Sequence, residues 1–316
     1  MSIFLETLSA AGLSAVLALA GIYFPPVSGV SMFLWTVPIT ILMVKRSPPS
    51  GLLALAMTAV LTLVLAPSLV TVSFIAQFAP VGVFYGVALN RKWHPGIVAL
   101  GGIGTAMGSL ALVLLLTFRS AGIALAELGQ PVEEMFRQSL AFYHQAGVFD
   151  SLFAQGVTPA ELEEYARQVS ETYKRLLPGL LAIGAMGTSA LNYLITCLVG
   201  NHAGLELRRI PPFSQWQLPW YFTWGVVVGL AALLGGDYWQ LDTLSRIGQN
   251  LLLVFAPVLL VFGASVVVFY YRRSPLPAWF KISIIVLATF YLTFSLMLVM
   301  ALGLFDPLFG YRRRST

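Results

Sequence analysis

The sequence predicts an all-α, polytopic membrane protein: a transmembrane bundle of about eight or nine helical spans with one extracytoplasmic helical insertion. Three observations predict it. Apolar residues make up 58% of the 316 positions and charged residues 10%, against roughly 45–50% and about 25% in soluble domains, so the charges cannot cover a water-exposed surface. The apolar residues fall into nine runs, most of them near the roughly 20 residues a helix needs to cross about 30 Å of hydrocarbon. Lys and Arg gather in the short breaks between runs. This pattern excludes a water-soluble enzyme and a disordered chain, and a lone cysteine, Cys197, excludes a disulfide scaffold.

In order, the runs are about Leu5 to Phe24, Val27 to Val44, Gly51 to Leu65, Leu69 to Leu89, Gly96 to Thr117, Leu177 to Val199, Trp220 to Leu234, Asn250 to Tyr271 and Trp279 to Leu304. Nine of the eighteen Lys and Arg sit in or beside alternate turns: Lys45, Arg46, Arg91, Lys92, Arg208, Arg209, Arg272, Arg273 and Lys281. The positive-inside rule places those turns in the cytoplasm. It accounts for the net charge of +5 without a nucleic-acid partner. The third and seventh runs are short but are counted as spans, because removing either would put basic turns on opposite faces. The amino terminus is then cytoplasmic and residues Phe118 to Leu176 lie outside.

The first run ends in Ala18-Leu19-Ala20-Gly21, which resembles a signal-peptidase site, but no Lys or Arg precedes Lys45, so the run reads as a retained helix. At Lys45 to Pro48, Arg208 to Pro211 and Arg272 to Pro275, a basic pair, one residue and a proline stop a helix at its negative end. Pro38, Pro80 and Pro257 interrupt three spans, either as packed kinks or as breaks lining a cavity. Small residues four apart, Ala11 with Ala15, Ser14 with Ala18, Gly82 with Gly86 and Gly104 with Gly108, let helices approach closely, within the chain or against a partner. Trp216, Trp220, Tyr221 and Trp224 on one side, and Tyr238 with Trp239 on the other, form aromatic belts around the seventh run.

Residues 118–176 hold eight acidic and five basic residues. Thr158, Pro159 and Glu161 form a capping box, followed by Leu162, Tyr165, Ala166, Val169 and Tyr173 at helical spacing. Pro131 opens a second such stretch with Met135, Phe136, Leu140 and Tyr143 on one side. These helices lie across the outer face of the bundle or form a lid over a cavity. The chain therefore divides into an N-terminal bundle of five spans (1–117), the insertion (118–176) and a C-terminal bundle of about four spans (177–316). Nine crossings place Arg312, Arg313 and Arg314 outside, against the charge rule; the alternative is a last segment that does not fully cross.

No phosphate-binding loop, His-Glu-x-x-His helix or nucleophile elbow occurs, and His94, His144 and His202 are far apart. The chain is thus read as a non-enzyme without catalytic residues, metal or cofactor. Between their interfacial ends the spans carry no Asp, Glu, Lys, Arg or His, which disfavours proton-coupled transport. They do carry Trp35, Gln77, Asn192 and Tyr193, with Asn250 near an end. At 1.5 Å per residue, Trp35 and Gln77 share a level roughly 12 Å from the outer boundary, whereas Asn192 falls about 22 Å deep. Trp35, Gln77 and Asn250 are candidate ligand-binding residues for a neutral or heteroaromatic solute. Asn192 and Tyr193 are candidate interhelical polar contacts, a role equally open to Gln77.

The Ala-rich first run ending at Pro25, Val37-Pro38 before Lys45-Arg46, and Pro80-Val81-Gly82 with Gly86 carry a family resemblance. So do Leu177-Pro178 leading to Asn192-Tyr193, PPFSQWQLP from Pro211 to Pro219, Asn250, and Gly303-Leu304-Phe305-Asp306. Together they resemble the YybS-like family of bacterial integral membrane proteins, grouped with the S components of energy-coupling-factor (ECF) transporters. The resemblance implies an inner-membrane substrate-capture subunit for small-molecule uptake, docked on a separate energy-coupling ATPase module. S components dock through Ala-x-x-x-Ala on the first span, and Ala11 and Ala15 stand in the matching place. With nine apolar segments and a 59-residue outer insertion, the chain is larger than an S component. The alternative is a membrane scaffold that binds other membrane proteins.

Overall fold

The computed structural model describes residues 3–122, 158–207 and 211–312, with isolated positions between 134 and 147. Among them every regular element is helical: α1 (Ile3–Tyr23), α2 (Pro25–Leu34), α3 (Val37–Lys45), α4 (Pro48–Leu65), α5 (Leu69–Asn90), α6 (Pro95–Ala121), α7 (Pro159–His202), α8 (Phe222–Tyr238), α9 (Asp242–Arg273), α10 (Ala278–Phe290) and α11 (Leu292–Phe309). Eight spans, with α2 and α3 forming one of them, are long and apolar enough to cross a membrane by length and composition. The helix predicted after Pro131 falls largely outside the described residues. Prolines open α2, α3, α4 and α6, where the missing N–H has no helical partner to lose.

The chain forms two compact units, Met1–Val157 with Gly184–Ile210, and Thr158–Ile183 with Pro211–Thr316. In the first unit the small-residue face of α1 packs on α4. Ala11, Ser14, Ala15 and Ala18 are buried there, and the Thr58 hydroxyl donates to the Ala11 carbonyl at 3.2 Å. Gly82 and Gly86 bring α5 onto α3: a Cβ at Gly82 would meet Thr36 Cβ at 2.8 Å, and one at Gly86 would meet Met43. Gly104 and Gly108 have open space beside them. Of the prolines expected to interrupt spans, Pro38 coincides with a break, between α2 and α3, whereas Pro80 and Pro257 sit inside continuous helices.

The second unit is built on α9. A tight turn at Gln240, φ 57°, folds α8 back onto it, and Gly236 and Gly248 allow the two backbones into contact. Trp220, Tyr221 and Trp224 lie exposed at one end of α8 and Tyr238 and Trp239 at the other. On another side α11 packs on α9 through Gly263 and Gly303, each facing the other helix's backbone.

Two boundaries differ from the sequence reading. The capping box forms as expected, with the Thr158 N–H donating to Glu161 Oε2 at 2.9 Å and the Glu161 N–H to Thr158 Oγ1 at 3.3 Å. The helix it opens does not stop at the sixth span, however. α7 runs uninterrupted for 44 residues, roughly 66 Å at 1.5 Å per residue, so the border expected between 176 and 177 falls inside a helix. The hydrogen bonds from the Thr158 backbone and hydroxyl hold the Glu161 carboxyl below the usual carboxylate range. The stability this cap contributes is therefore present above that range and is lost as pH falls through the lowered value.

The ninth run is not one crossing. It breaks at Tyr291 into α10, 13 residues, and α11, 18 residues. α10 starts beside the end of α9, where Lys281 Nζ donates to the Tyr271 carbonyl at 3.0 Å. α11 finishes at the same end, where the Tyr270 hydroxyl donates to the Tyr311 carbonyl at 3.0 Å. The segment is a hairpin, and Arg312 lies at the end of this unit that bears Arg272 and Arg273. A count of nine crossings takes α10 and α11 as one span, whereas the hairpin brings Arg312 back to the end of the unit from which α10 starts.

Cysteines introduced as Ser274→Cys and appended after Thr316 are expected to react with a membrane-impermeant maleimide from the same face, with the native Cys197 silent because it is buried. Labelling from opposite faces would refute the hairpin.

Candidate functional site

Several polar side chains of the first unit gather near the break between α2 and α3. Trp35, at that break, is fully buried, with its ring 5.6 Å from that of Phe74 on α5. One helical turn along α5 lies Gln77, half-buried, with no hydrogen bond to its amide among the described residues. Thr40 secures the break: its hydroxyl donates to the Thr36 carbonyl at 2.9 Å and the Gly82 carbonyl at 3.1 Å.

From α7, Asn192 Nδ2 donates to Thr36 Oγ1 at 2.8 Å, and Ser189 Oγ pairs with the Tyr85 hydroxyl at 2.6 Å. Tyr193 packs on Tyr85 with ring centroids 5.5 Å apart. Asn192 and Tyr193 thus connect helices in the way the sequence suggests. The pairing is incomplete, because Trp35 Nε1, Asn192 Oδ1 and Thr196 Oγ1 are buried without a partner among the described residues. An unpaired buried polar atom costs about 1–3 kcal/mol, so Trp35 Nε1 and Asn192 Oδ1 beside one helix break, with Thr196 Oγ1 a turn further along α7, mark a place where a bound polar molecule or water would be held.

Asn250 belongs to the second unit and does different work. Its Nδ2 donates to the Arg175 carbonyl at 2.9 Å and the Arg246 carbonyl at 2.9 Å, while Oδ1 accepts from the Gly179 N–H at 2.6 Å. In an unbroken helix the Arg175 carbonyl and the Gly179 N–H pair with each other. Pro178 lies between them in α7, and proline disturbs the ladder of the preceding turn. The Asn250 amide, with the same donor and acceptor as a peptide, serves both groups. Glycine at 179 is needed because a Cβ there would come within 2.8 Å of Asn250 Oδ1. Ala11 and Ala15, the face expected to dock a partner, are buried within the chain, Ala11 against Thr58 of α4.

Two buried ionic contacts escaped the sequence reading, which held the spans free of charge between their ends. Glu6 in α1 is 8% exposed and meets Lys45 Nζ at 3.1 Å and Arg46 Nε at 2.7 Å. Asp306 in α11 and Arg312 just beyond it are 5% and 4% exposed, joined at 2.7 Å through Asp306 Oδ2. Arg312 also donates to the Ser214 carbonyl at 2.9 Å, Ser265 Oγ at 3.0 Å and the Trp216 carbonyl at 2.7 Å. The signal was present as an acid and a base flanking Gly310, whose left-handed φ of 58° ends α11 and turns the chain back. An open cleft of about 830 Å³ beside this pair is lined by Gln217, Pro219, Trp220, Asp306 and Phe309.

A family model described as a predicted membrane protein, DUF2232, matches residues 12–307. The chain belongs to that family. No curated protein and no solved structure matches it. In this DUF2232 chain, no group of three or more His, Cys, Asp or Glu placed to hold a metal ion occurs among the described residues.

Asn250→Leu should lower stability by about 1–3 kcal/mol, the cost of unpairing buried backbone groups. In Pro178→Ala the same change should cost less, because the turn can then close on itself. Additive effects of the two changes in detergent unfolding would contradict the bridging role. Arg312→Met should cost about 3–5 kcal/mol by leaving a buried carboxylate uncompensated, with Asp306→Leu/Arg312→Met recovering part of it. A single variant as stable as the parent would disprove the buried pair.

Proposed function

We propose that this DUF2232 protein is a non-enzymatic subunit of the bacterial inner membrane, with a cytoplasmic amino terminus, that captures a small molecule for uptake in the manner of an ECF S component. The ligand sits in the first unit against Trp35 and Gln77. What supports this is a set of unsatisfied polar groups in that unit: the Gln77 amide, half-buried and unbonded among the described residues one turn along α5 from the Phe74 ring that meets Trp35, and the buried Trp35 Nε1, Asn192 Oδ1 and Thr196 Oγ1. A chain that is 58% apolar retains these groups where an apolar residue would pack at lower cost. A neutral solute carrying both donors and acceptors would complement them, and the Trp35 and Phe74 rings would favour a flat one.

Asn250 does not contribute to this site, because its amide is engaged between α7 and α9. Ala11 and Ala15 are buried within the chain and so present no free face to an energy-coupling module.

Protein purified in mild detergent should release a small molecule on denaturation, detected by mass spectrometry. Gln77→Leu should cut its occupancy roughly tenfold, the equivalent of one lost hydrogen bond of about 1.4 kcal/mol. Gly104→Leu, in open space, should leave occupancy unchanged. Absence of any solute, together with stable recovery of other membrane proteins, would overturn this reading in favour of a scaffold.

A further inference from the structure

Where the polar part of α7 gives way to its apolar part, the second unit carries an open groove of about 760 Å³. Its walls include Arg167, Glu171, Lys174 and Arg175 from α7 and Arg246 and Gln249 from α9. Among the described residues the charges are locally paired but do not balance. Arg167 meets Glu164 at 2.8 Å and Lys174 meets Glu171 at 3.3 Å. Arg175 and Arg246 share one carboxylate: Asp242 accepts from the first through Oδ1 at 2.9 Å and from the second through Oδ2 at 2.7 Å. Two guanidiniums on a single carboxylate leave one positive charge uncompensated among the described residues. Both remain accessible, with side chains 41% and 51% exposed, and each retains N–H groups beyond those bound to Asp242.

The depth of the groove identifies what it meets. α7 is polar through Arg175 and apolar from Leu176, and α9 is polar through Asn250 and apolar from Leu251. The two borders are held side by side by the Asn250 bridge to Arg175 and Gly179. A bilayer places its phosphate layer at such a border, with hydrocarbon directly below it. Guanidinium recognises phosphate through paired N–H groups in a plane, a geometry that lysine lacks.

We propose that this groove seats the phosphate of an anionic phospholipid headgroup, held chiefly by Arg175 and Arg246, with Leu176 against the start of an acyl chain. Its occupant is distinct from the solute assigned to the first unit, and the two assignments stand or fall separately. Glu171 in the wall disfavours headgroups carrying more negative charge than the cations can meet.

The test uses the full chain, delipidated in a nonionic detergent and titrated with phosphatidylglycerol or phosphatidylcholine, with bound lipid counted by native mass spectrometry. Phosphatidylglycerol should bind more tightly. Arg175→Gln/Arg246→Gln should weaken it roughly 25-fold, the combined effect of two interfacial cations. Asp242→Asn should tighten it about 5-fold by unmasking the shared charge. That increase separates a binding groove from a structural ion-pair network, which either change would weaken, and it remains readable if the double variant does not fold. Equal affinity for the two lipids, unchanged binding in the double variant, weaker binding in Asp242→Asn, or displacement of the lipid by equimolar inorganic phosphate would each overturn the proposal.

Discussion

A backbone carbonyl or N–H that loses its helical partner inside lipid has no water to turn to, so every interruption of a spanning helix needs a substitute within the protein. The interruptions in this chain can be followed through the substitutes they acquire. At Pro178 the substitute is the Asn250 amide, which reaches from α9 to a carbonyl and an N–H one turn apart on α7. Beside the break between α2 and α3, Thr40 adds a second donor to the Thr36 carbonyl of its own turn and reaches the Gly82 carbonyl across the helix interface. Each contact also fastens two helices together, so the defects in the helices supply part of the tertiary structure.

Close approach of backbones is the second consequence. With lipid on the outside as apolar as the side chains within, helix association relies on packing and on polar contacts, and small residues let both operate at short range. The pattern is selective. Ala11 faces α4, Gly82 and Gly86 face α3, and Gly263 and Gly303 face each other's helices, whereas Gly104 and Gly108 have open space beside them among the described residues. Charged groups follow the same economy of placement: Glu6 and Asp306 occur in apolar helices, but each lies within a turn or so of a helix end and meets arginine there. Ion pairs so placed anchor the ends of the bundle without burying an isolated charge.

The functional assignments rest on where this saturation stops. Trp35 Nε1 and Asn192 Oδ1, on either side of the break between α2 and α3, remain unpaired among the described residues, and around Arg175 and Arg246 a single carboxylate serves two cations. One deficit lies among apolar helices and calls for a neutral polar solute. The other lies at a polar-to-apolar border and calls for an anionic headgroup.

Membrane class, the positions of most helices, the capping box at Thr158 and the aromatic ends of α8 were all legible in the sequence. They depend on local composition and on periodicity along one helix, which a linear reading carries. Other features depend on what one helix meets in another, and only the tertiary structure decided them. That Ala11 and Ala15 are covered while Gly104 is open cannot be read from identical four-residue spacings. That Asn250 repairs a turn 75 residues earlier, at Arg175, depends on two helices lying side by side. The apolar run from Trp279 to Leu304 satisfies the length for a crossing, yet α11 returns along α9 because Gly303 and Gly263 fit together and Arg312 finds Asp306, Ser265 and the Trp216 carbonyl at the end from which α10 departs. Hydropathy records how long a segment can remain in lipid, whereas its direction is set by the partners its backbone and charges find.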